Sequence, residues 1–424
     1  MHEFLWPAIP LLLELVSRKF LDRKWRAEVN RALLSGTILL SVVLGLDIHF
    51  TLAYSALAVA FSQGRTVYSS LSGGLLAFAS YLLANPLVSA IPLGLMSIAS
   101  PLAQLLNRAA WRGEKGLLWT LYMFSTSLIV AASFLVALGA INPLWGVLAA
   151  AVATWSGKVD DSFAMPLFAF LSVNYIYTPP SGLAAGFGFS LIASSFAYYL
   201  RALDLNGLVA GVLVGSFVYA ASPLLFLVML SFLVSSSLLG RFSRHDERYQ
   251  TKGKRNAIQV MANAFSVCLA AALILSGKDL MGPGIAAVAA AAADTWATEI
   301  GSLSRRKPRL ITTLRPVERG KSGGVTPLGL GASLLAGVFI FLVTYPFTGI
   351  TYLAPAIAGG AVGSLVDSLF GAAIQGVYTC RVCGRTTERE FHCGKTTVLE
   401  RGIWWFNNDL VNLASTLIAM VVGL

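Results

Sequence analysis

The sequence predicts an all-α, polytopic integral membrane protein, and three observations predict it. Apolar residues make up 56% of the chain, and the mean hydropathy is +0.72. Only 12% of residues are charged, against roughly 25% in soluble proteins. The charge is also segregated: 18 of the 31 lysines and arginines fall in three short segments between apolar runs. No soluble core of this size absorbs so much apolar surface, and in lipid only helices or closed barrels satisfy the backbone.

The basic segments are residues 241–255, 305–321 and 378–401, with six, seven and five basic side chains. Short basic loops between apolar spans mark the cytosolic side, so the expected partner is the lipid bilayer and no nucleic acid is expected. Apolar stretches 257–276 and 283–301 separate the first two loops, and 325–347 and 353–377 separate the second from the third. Even numbers of crossings keep all three loops in the cytosol, and a last span at 405–424 leaves the C-terminus outside. The connections SGKDLMG and YPFTGITY are nearly uncharged, as external loops are. Upstream, runs at 205–220 and 223–240 return the chain to Arg201 on the cytosolic side. The first 200 residues add spans between charged patches at 18–31, 107–115 and 157–161. The chain is long enough for roughly 12–15 membrane segments, and those broken by Gly and Pro are candidates for re-entrant pieces. Two regions follow: an N-terminal membrane region, 1–200, without a functional reading, and a C-terminal membrane domain, 201–424, which carries the polar residues read below. Cytosolic loops of the latter are 241–255, 305–324 and 378–403.

The C-terminal region places acids where lipid disfavours them. In AAADTWATEIGS, 291–302, Asp294 and Glu299 stand in an alanine-rich segment with a lipid-embedded look. A carboxylate at the bilayer centre costs about 2.5–3.5 kcal/mol, so it turns to the protein interior or a wet cavity. Asp294 shares a face with Thr298. Glu299 lies about 140° round the helix and near the boundary marked by Arg305. A charge pair between helices is the plain alternative. The stretch ATWSGKVDDS, 153–162, echoes this segment but lacks the acid before Thr-Trp. Asp367 in GSLVDSLFGAAIQG and Asp409 in WWFNNDLVNLAS are further acids in apolar segments. Ser364, Asp367 and Gly371 share a face that leaves space beside the carboxylate, and Asn408 and Asn412 flank Asp409. Magnesium binds carboxylates together with phosphate oxygens.

In RNAIQVMAN, Asn256, Gln259 and Asn263 fall at i, i+3 and i+7. Such a stripe is glue between helices or one wall of a polar site. The loop KPRLITTLRPVERGKSGGVTPLG, 307–329, runs through Arg309, Thr312, Thr313 and Arg315 to Gly320-Lys321-Ser322-Gly323-Gly324. Thr326 then suits an N-cap and Pro327 a first helical position. A glycine-rich loop feeding a helix start offers backbone N–H groups and a positive dipole end to phosphate. Lys321 adds a point charge, and Arg315 and Arg319 can fork onto oxygens. This is not a Walker A loop, because Arg315 occupies the place of its first glycine. The alternative is a solvated loop drawn to anionic lipid. Last, Cys380, Cys383, His392 and Cys393 in CRVCGRTTEREFHC suit a structural zinc, with reduced thiols the alternative. His392 and Cys393 are adjacent, so joint ligation needs a turned backbone.

In order, RNAIQVMAN, DTWATEIG, KPRLITTLRPVERGKSGG, DSLFGAAIQ and NNDLVN resemble the signature blocks of the integral-membrane family called domain of unknown function ninety-two. That family includes the plant phytyl-phosphate kinase. DTWATEIG is also distantly similar to the Asp-x-x-Ala-x-x-x-Gly block of CTP-dependent dolichol kinases, matched by Asp294, Ala297 and Gly301. The resemblance spans residues 200–424. It implies a membrane-embedded phosphotransferase of the polyprenyl-phosphate kinase type. A nucleoside triphosphate, CTP by this resemblance, would give a phosphoryl group to a prenyl monophosphate such as geranylgeranyl or phytyl phosphate. On that reading Asp294 and Asp367 hold magnesium, and Glu299 and Lys321 also serve the chemistry. Arg309, Thr312, Thr313, Arg315, Ser322, Gly323 and Gly324 then bind phosphate. Asn256, Gln259, Asn263, Gln375, Asn408, Asp409 and Asn412 bind substrate or order the carboxylates. Two other classes would use the same parts. One is a CTP-dependent cytidylyltransferase making a CDP-lipid. The other is a secondary transporter of an anionic solute, whose site belongs near the midplane.

Overall fold

The computed structural model describes residues 66–85, 87–109, 115–137, 144–242, 254–388 and 390–424, with a few short pieces before residue 66. Most of the 18–31 patch and of the 241–255 loop lies outside the described residues. The chain divides into two compact units, Met1–Thr178 and Pro179–Leu424.

Among the described residues of the first unit are α1 (Thr66–Leu83), α2 (Leu87–Gly94), a π-helical turn (Leu95–Ala99) leading into α3 (Ser100–Ala109), α4 (Leu117–Ala137), α5 (Leu144–Val159) and α6 (Ala164–Asn174). Every residue of α6 is buried, and it packs on α2 and α5.

The second unit contains α7 (Pro180–Tyr199), α8 (Leu205–Ala221), α9 (Pro223–Phe242), α10 (Ala257–Leu275), α11 (Met281–Ser302), α12 (Pro327–Thr348), α13 (Leu353–Ala373) and α14 (Asn408–Val422). Five of these helices (α7, α9 as far as Gly240, α10, α12 and α13) are long and apolar enough to cross a membrane. Large apolar side chains project outward from α7 at Phe187, Ile192 and Phe196, and from α12 at Leu335 and Leu342. Helices bathed in lipid carry such faces.

Helix α11 is different. It is not among the five, yet α9, α10, α12, α13 and α14 all pack around it. Its residues from Pro283 to Ala293 are buried without a break. Neighbouring helices surround it, so its alanines face protein instead of lipid. Small side chains suffice where neighbours, not lipid, supply the contacts, and they let those neighbours approach closely.

Short strands occupy the loops. Strands β1 (Arg309–Leu310) and β2 (Gly324–Val325) pair antiparallel, with Arg309 opposite Val325. Strands β3 (Val377–Thr379), β4 (Thr386–Thr387) and β7 (Val398–Arg401) form a sheet in the order β4-β3-β7. Strands β5 (Phe391–His392) and β6 (Lys395–Thr396) make a separate hairpin. All lie where α11 and α13 end and α10, α12 and α14 begin, at what is called here the loop end.

Candidate functional site

The acids are positioned by one helix seam. A Cβ at Gly359 of α13 would stand 2.5 Å from Ala286 Cα of α11, and one at Gly363 would collide with Ala290. These contacts advance four residues on both helices, so α11 and α13 run parallel. The next turn brings Asp367 level with Asp294. Both side chains are half-buried. Ser364, on the same face as Asp367, is engaged elsewhere: its hydroxyl lies 2.8 Å from that of Ser333 on α12.

Arg255 faces the same turns of α11 from the other side. Its backbone is fixed, donating to Ala202 O and accepting from Asp204 N. Its guanidinium lies over the Phe232 ring at 5.4 Å and donates to Thr295 Oγ1 at 3.5 Å. Burial lowers its pKa, and the charges of Asp294 and Glu299 oppose that only in part. Both acids therefore bear on one cation, although they point differently along α11. Glu299 Oε1 approaches α9, 4.0 Å from where a Cβ on Gly240 would be.

The carboxamide stripe is partly a helix cap. Asn256 is the N-cap of α10: its Oδ1 accepts from Gln259 N at 3.0 Å, and Gln259 Oε1 accepts from Asn256 N at 3.2 Å. Asn263 Nδ2 donates to Gln259 O at 2.9 Å. Gln259 and Asn263, but not Asn256, line a cavity of about 90 Å³ bounded by α7 to α11.

The glycine-rich loop rests on the end of α13. Gly323 has φ +79°, and a Cβ there would stand 2.5 Å from the Ala372 backbone nitrogen, so only a glycine fits this approach. Thr326 caps α12, accepting from Gly329 N at 3.0 Å, and Pro327 follows at the first helical position. The loop residues separate into two groups. Thr312, Thr313 and Arg315 sit at an exposed tip. Gly323 is pressed against α13 and Gly324 against Lys321, Val317 and Pro308, while Ser322 and Lys321 are half-buried beside them. Arg309 donates to Leu314 O at 3.0 Å, bracing the tip.

Three side chains hold this loop, and two of them, Arg401 and Glu388, the sequence did not single out. Arg401 donates to Ala372 O, to Gly371 O at 3.3 Å and to Ser322 O at 3.1 Å. Arg319 donates to Ser304 O at 2.5 Å and to Ser302 O at 3.2 Å, closing the end of α11. Glu388 accepts from Ser322 Oγ at 2.5 Å. Gln375, 2% exposed, sits beside Gly371 and the loop. Its Nε2 and the Nε of Arg401 are buried with no hydrogen-bond partner among the described residues. Two donors are thus left at the base of the loop. On α14, Asn407 is the cap, accepting from Leu410 N at 3.1 Å. Asn408 and Asp409 occupy the first turn, and Asn412 is buried one turn on.

The cysteines and histidine form a cluster able to hold a metal ion: donor atoms of Cys380, Cys383, His392 and Cys393 all lie within 4.8 Å of one another. The turned backbone is there, since Cys393 (φ +51°) and Gly394 (φ +73°) form the two-residue turn of the β5–β6 hairpin. Backbone donation from Cys383, joined by Val382 N–H and opposed by burial, lowers the Cys380 thiol to about 6. Burial and the neighbouring thiols raise Cys393 to about 11. The donor set suits a tetrahedral cation.

A family model described as "Integral membrane protein DUF92" matches residues 188–420. The protein named PGR from Arabidopsis thaliana is 33% identical over 268 residues, covering 54% of this chain and 92% of the relative. An uncharacterized membrane protein of Methanocaldococcus jannaschii is 30% identical over 228 residues, 53% of this chain and 85% of its own. One from Synechocystis is 23% identical over 209 residues, covering 47% and 72%. No solved structure matches the chain.

Proposed function

The chain belongs to the integral membrane family DUF92, and from that premise we propose that its C-terminal unit is a prenyl-phosphate kinase. It would transfer a phosphoryl group from a nucleoside triphosphate, CTP favoured, to a prenyl monophosphate such as geranylgeranyl or phytyl phosphate. The observation that carries the reading is the α11–α13 seam, which sets Asp294 level with Asp367 beside a glycine-rich loop.

Phosphoryl transfer is mostly positioning and charge neutralisation. An oxygen of the acceptor phosphate attacks the γ-phosphorus, the β–γ bridging P–O bond breaks, and a nucleoside diphosphate leaves. The acceptor is already an anion, so no strong base is needed. Asp294 and Asp367 would hold magnesium, with Glu299 and Asp409 near by; hard carboxylate oxygens fit that ion. When bound, magnesium would neutralise charge on the transferring group. The amides of Ser322 and Gly323, with Lys321, Gln375 Nε2 and Arg401 beneath them, supply donors for the nucleotide phosphates, while that of Gly324 is engaged by Lys321 O at 3.0 Å. Arg315, Thr312 and Thr313 at the exposed tip would meet the nucleotide from the water side. Zinc in the Cys380–Cys393 cluster would be structural, holding the hairpins that bring Glu388 and Arg401 to the loop. By the positive-inside rule the loop end faces the cytosol.

The test uses purified protein in nanodiscs with geranylgeranyl phosphate, magnesium and each of the four nucleoside triphosphates. Prenyl diphosphate and nucleoside diphosphate are expected. Pyrophosphate with a CDP-lipid would identify a cytidylyltransferase instead. Uptake of an unchanged anion into proteoliposomes would identify a transporter, which the gathering of polar groups at one end disfavours.

A further inference from the structure

The cavity bounded by α7 to α11 is asymmetric. Arg255, Gln259 and Asn263 stand at its loop end, while Val214, Val267 and Val288 line its far end. From Gln259 to Val267 the α10 wall descends about 12 Å, two helical turns away from the loops. Its floor is shaped by glycines: Gly211 and Gly215 of α8 admit the Ser194 and Ser190 hydroxyls of α7. Ser190 is 1% exposed, and its hydroxyl has no hydrogen-bond partner among the described residues. One cation at the mouth and a long hydrocarbon wall match an amphiphile with an anionic head and a single chain. A nucleobase, polar around its rim, would find few partners beyond the first turn.

We infer that this cavity holds the first prenyl units of the acceptor, with Arg255 gripping its phosphate beside Asp294. The inference rests on the kinase reading and adds a division of labour. The acceptor enters on the α10 side of α11, and the donor nucleotide lies on the α13 side, over the glycine-rich loop. Arg255 suits the task because its backbone is pinned to Ala202 and Asp204 and its guanidinium is steadied on Phe232. Val267 and Val288 would then limit how the chain proceeds toward lipid.

The test is binding without nucleotide, in nanodiscs. Geranylgeranyl phosphate carrying a diazirine near its head is expected to label peptides of α8, α10 and α11. Arg255→Gln is expected to weaken geranylgeranyl phosphate by about tenfold or more, the scale of one charge-assisted contact, and geranylgeraniol far less. Val267→Phe is expected to weaken geranylgeranyl phosphate while sparing dimethylallyl phosphate. The spared short chain also shows that the variant is folded. Ser190→Ala, which removes a hydroxyl from the deep wall, is expected to tighten chain binding; weaker binding would mark a polar occupant and overturn the inference. Labelling confined to other helices, with diphosphate still formed, would sink the cavity assignment and leave the kinase standing. Labelling here without any diphosphate would do the reverse.

Discussion

Asp161 in the first unit and Asp294 in the second both accompany an alanine-rich helix bearing Thr-Trp. Two local contacts recur around that pair. Thr154 returns its hydroxyl to Ala150 O at 2.7 Å, and Thr295 to Ala291 O at 3.1 Å. Trp155 meets Phe168 of the following helix at 5.1 Å, and Trp296 meets Phe339 of its following helix at 5.3 Å. The carboxylates live differently. Asp161, 1% exposed, is met by Lys115 Nζ at 3.6 Å, Gln104 Nε2 at 3.1 Å and the Ser100 hydroxyl at 3.5 Å. Asp294 is half-buried, its charge bears on Arg255, and helix geometry sets it level with a second carboxylate. A carboxylate ringed by its own protein's donors fixes helices together. On the proposed reading, Asp294 is kept instead to receive a ligand.

Substitutions separate these roles. Asp294→Asn or Asp367→Asn is expected to reduce diphosphate formation by about a thousandfold, in the range seen when a preorganised charge is removed from a transition state. The check is turnover with thermal unfolding alongside. Full activity in either variant would end the distinction drawn here. Arg401→Ala frees the glycine-rich loop from α13 and is expected to lower kcat/KM by about 10–100-fold, the scale of misplaced groups. Lys115→Met leaves Asp161 without its cation and is expected to cost roughly 1–3 kcal/mol of stability, less than a fully enclosed pair because Lys115 is partly exposed. Its turnover per folded molecule should stay within about twofold of the parent. The smallest effect belongs to Cys383→Ser. Bound zinc should vanish by elemental analysis, while turnover falls by about threefold, since the knuckle reaches the loop only through Glu388 and Arg401.

Much of this arrangement is legible in the residues alone. Thr326-Pro327 announces a helix start, and the structure has one there. The two-spaced cysteines announce a knuckle, and their donors converge with those of His392 and Cys393. Asn256-x-x-Gln259 is a capping-box pattern, but the same residues also fit a stripe, and periodicity alone does not choose between them. Arg255 reads as the last charge of a loop, because nothing local says that Phe232 and Thr295 will surround it. Arg401 and Glu388 look like ordinary loop charges for the same reason. The level of Asp367 against Asp294 depends on which alanine of α11 meets which glycine of α13, a choice made only by tertiary packing. The burial of α11 is equally invisible, since alanines look alike in lipid and in protein.

The seam between α11 and α13 also works as a calliper. With no room for a methyl group at Gly363, the interval between Asp294 and Asp367 one turn away is gauged by the Gly363 backbone against Ala290. Gly363→Ala would insert a shim there, touching neither acid yet widening the jaws proposed to close on magnesium. Measured as a change in which divalent ion supports turnover, that widening would make the smallest side chain in the seam the dimension that chooses the metal.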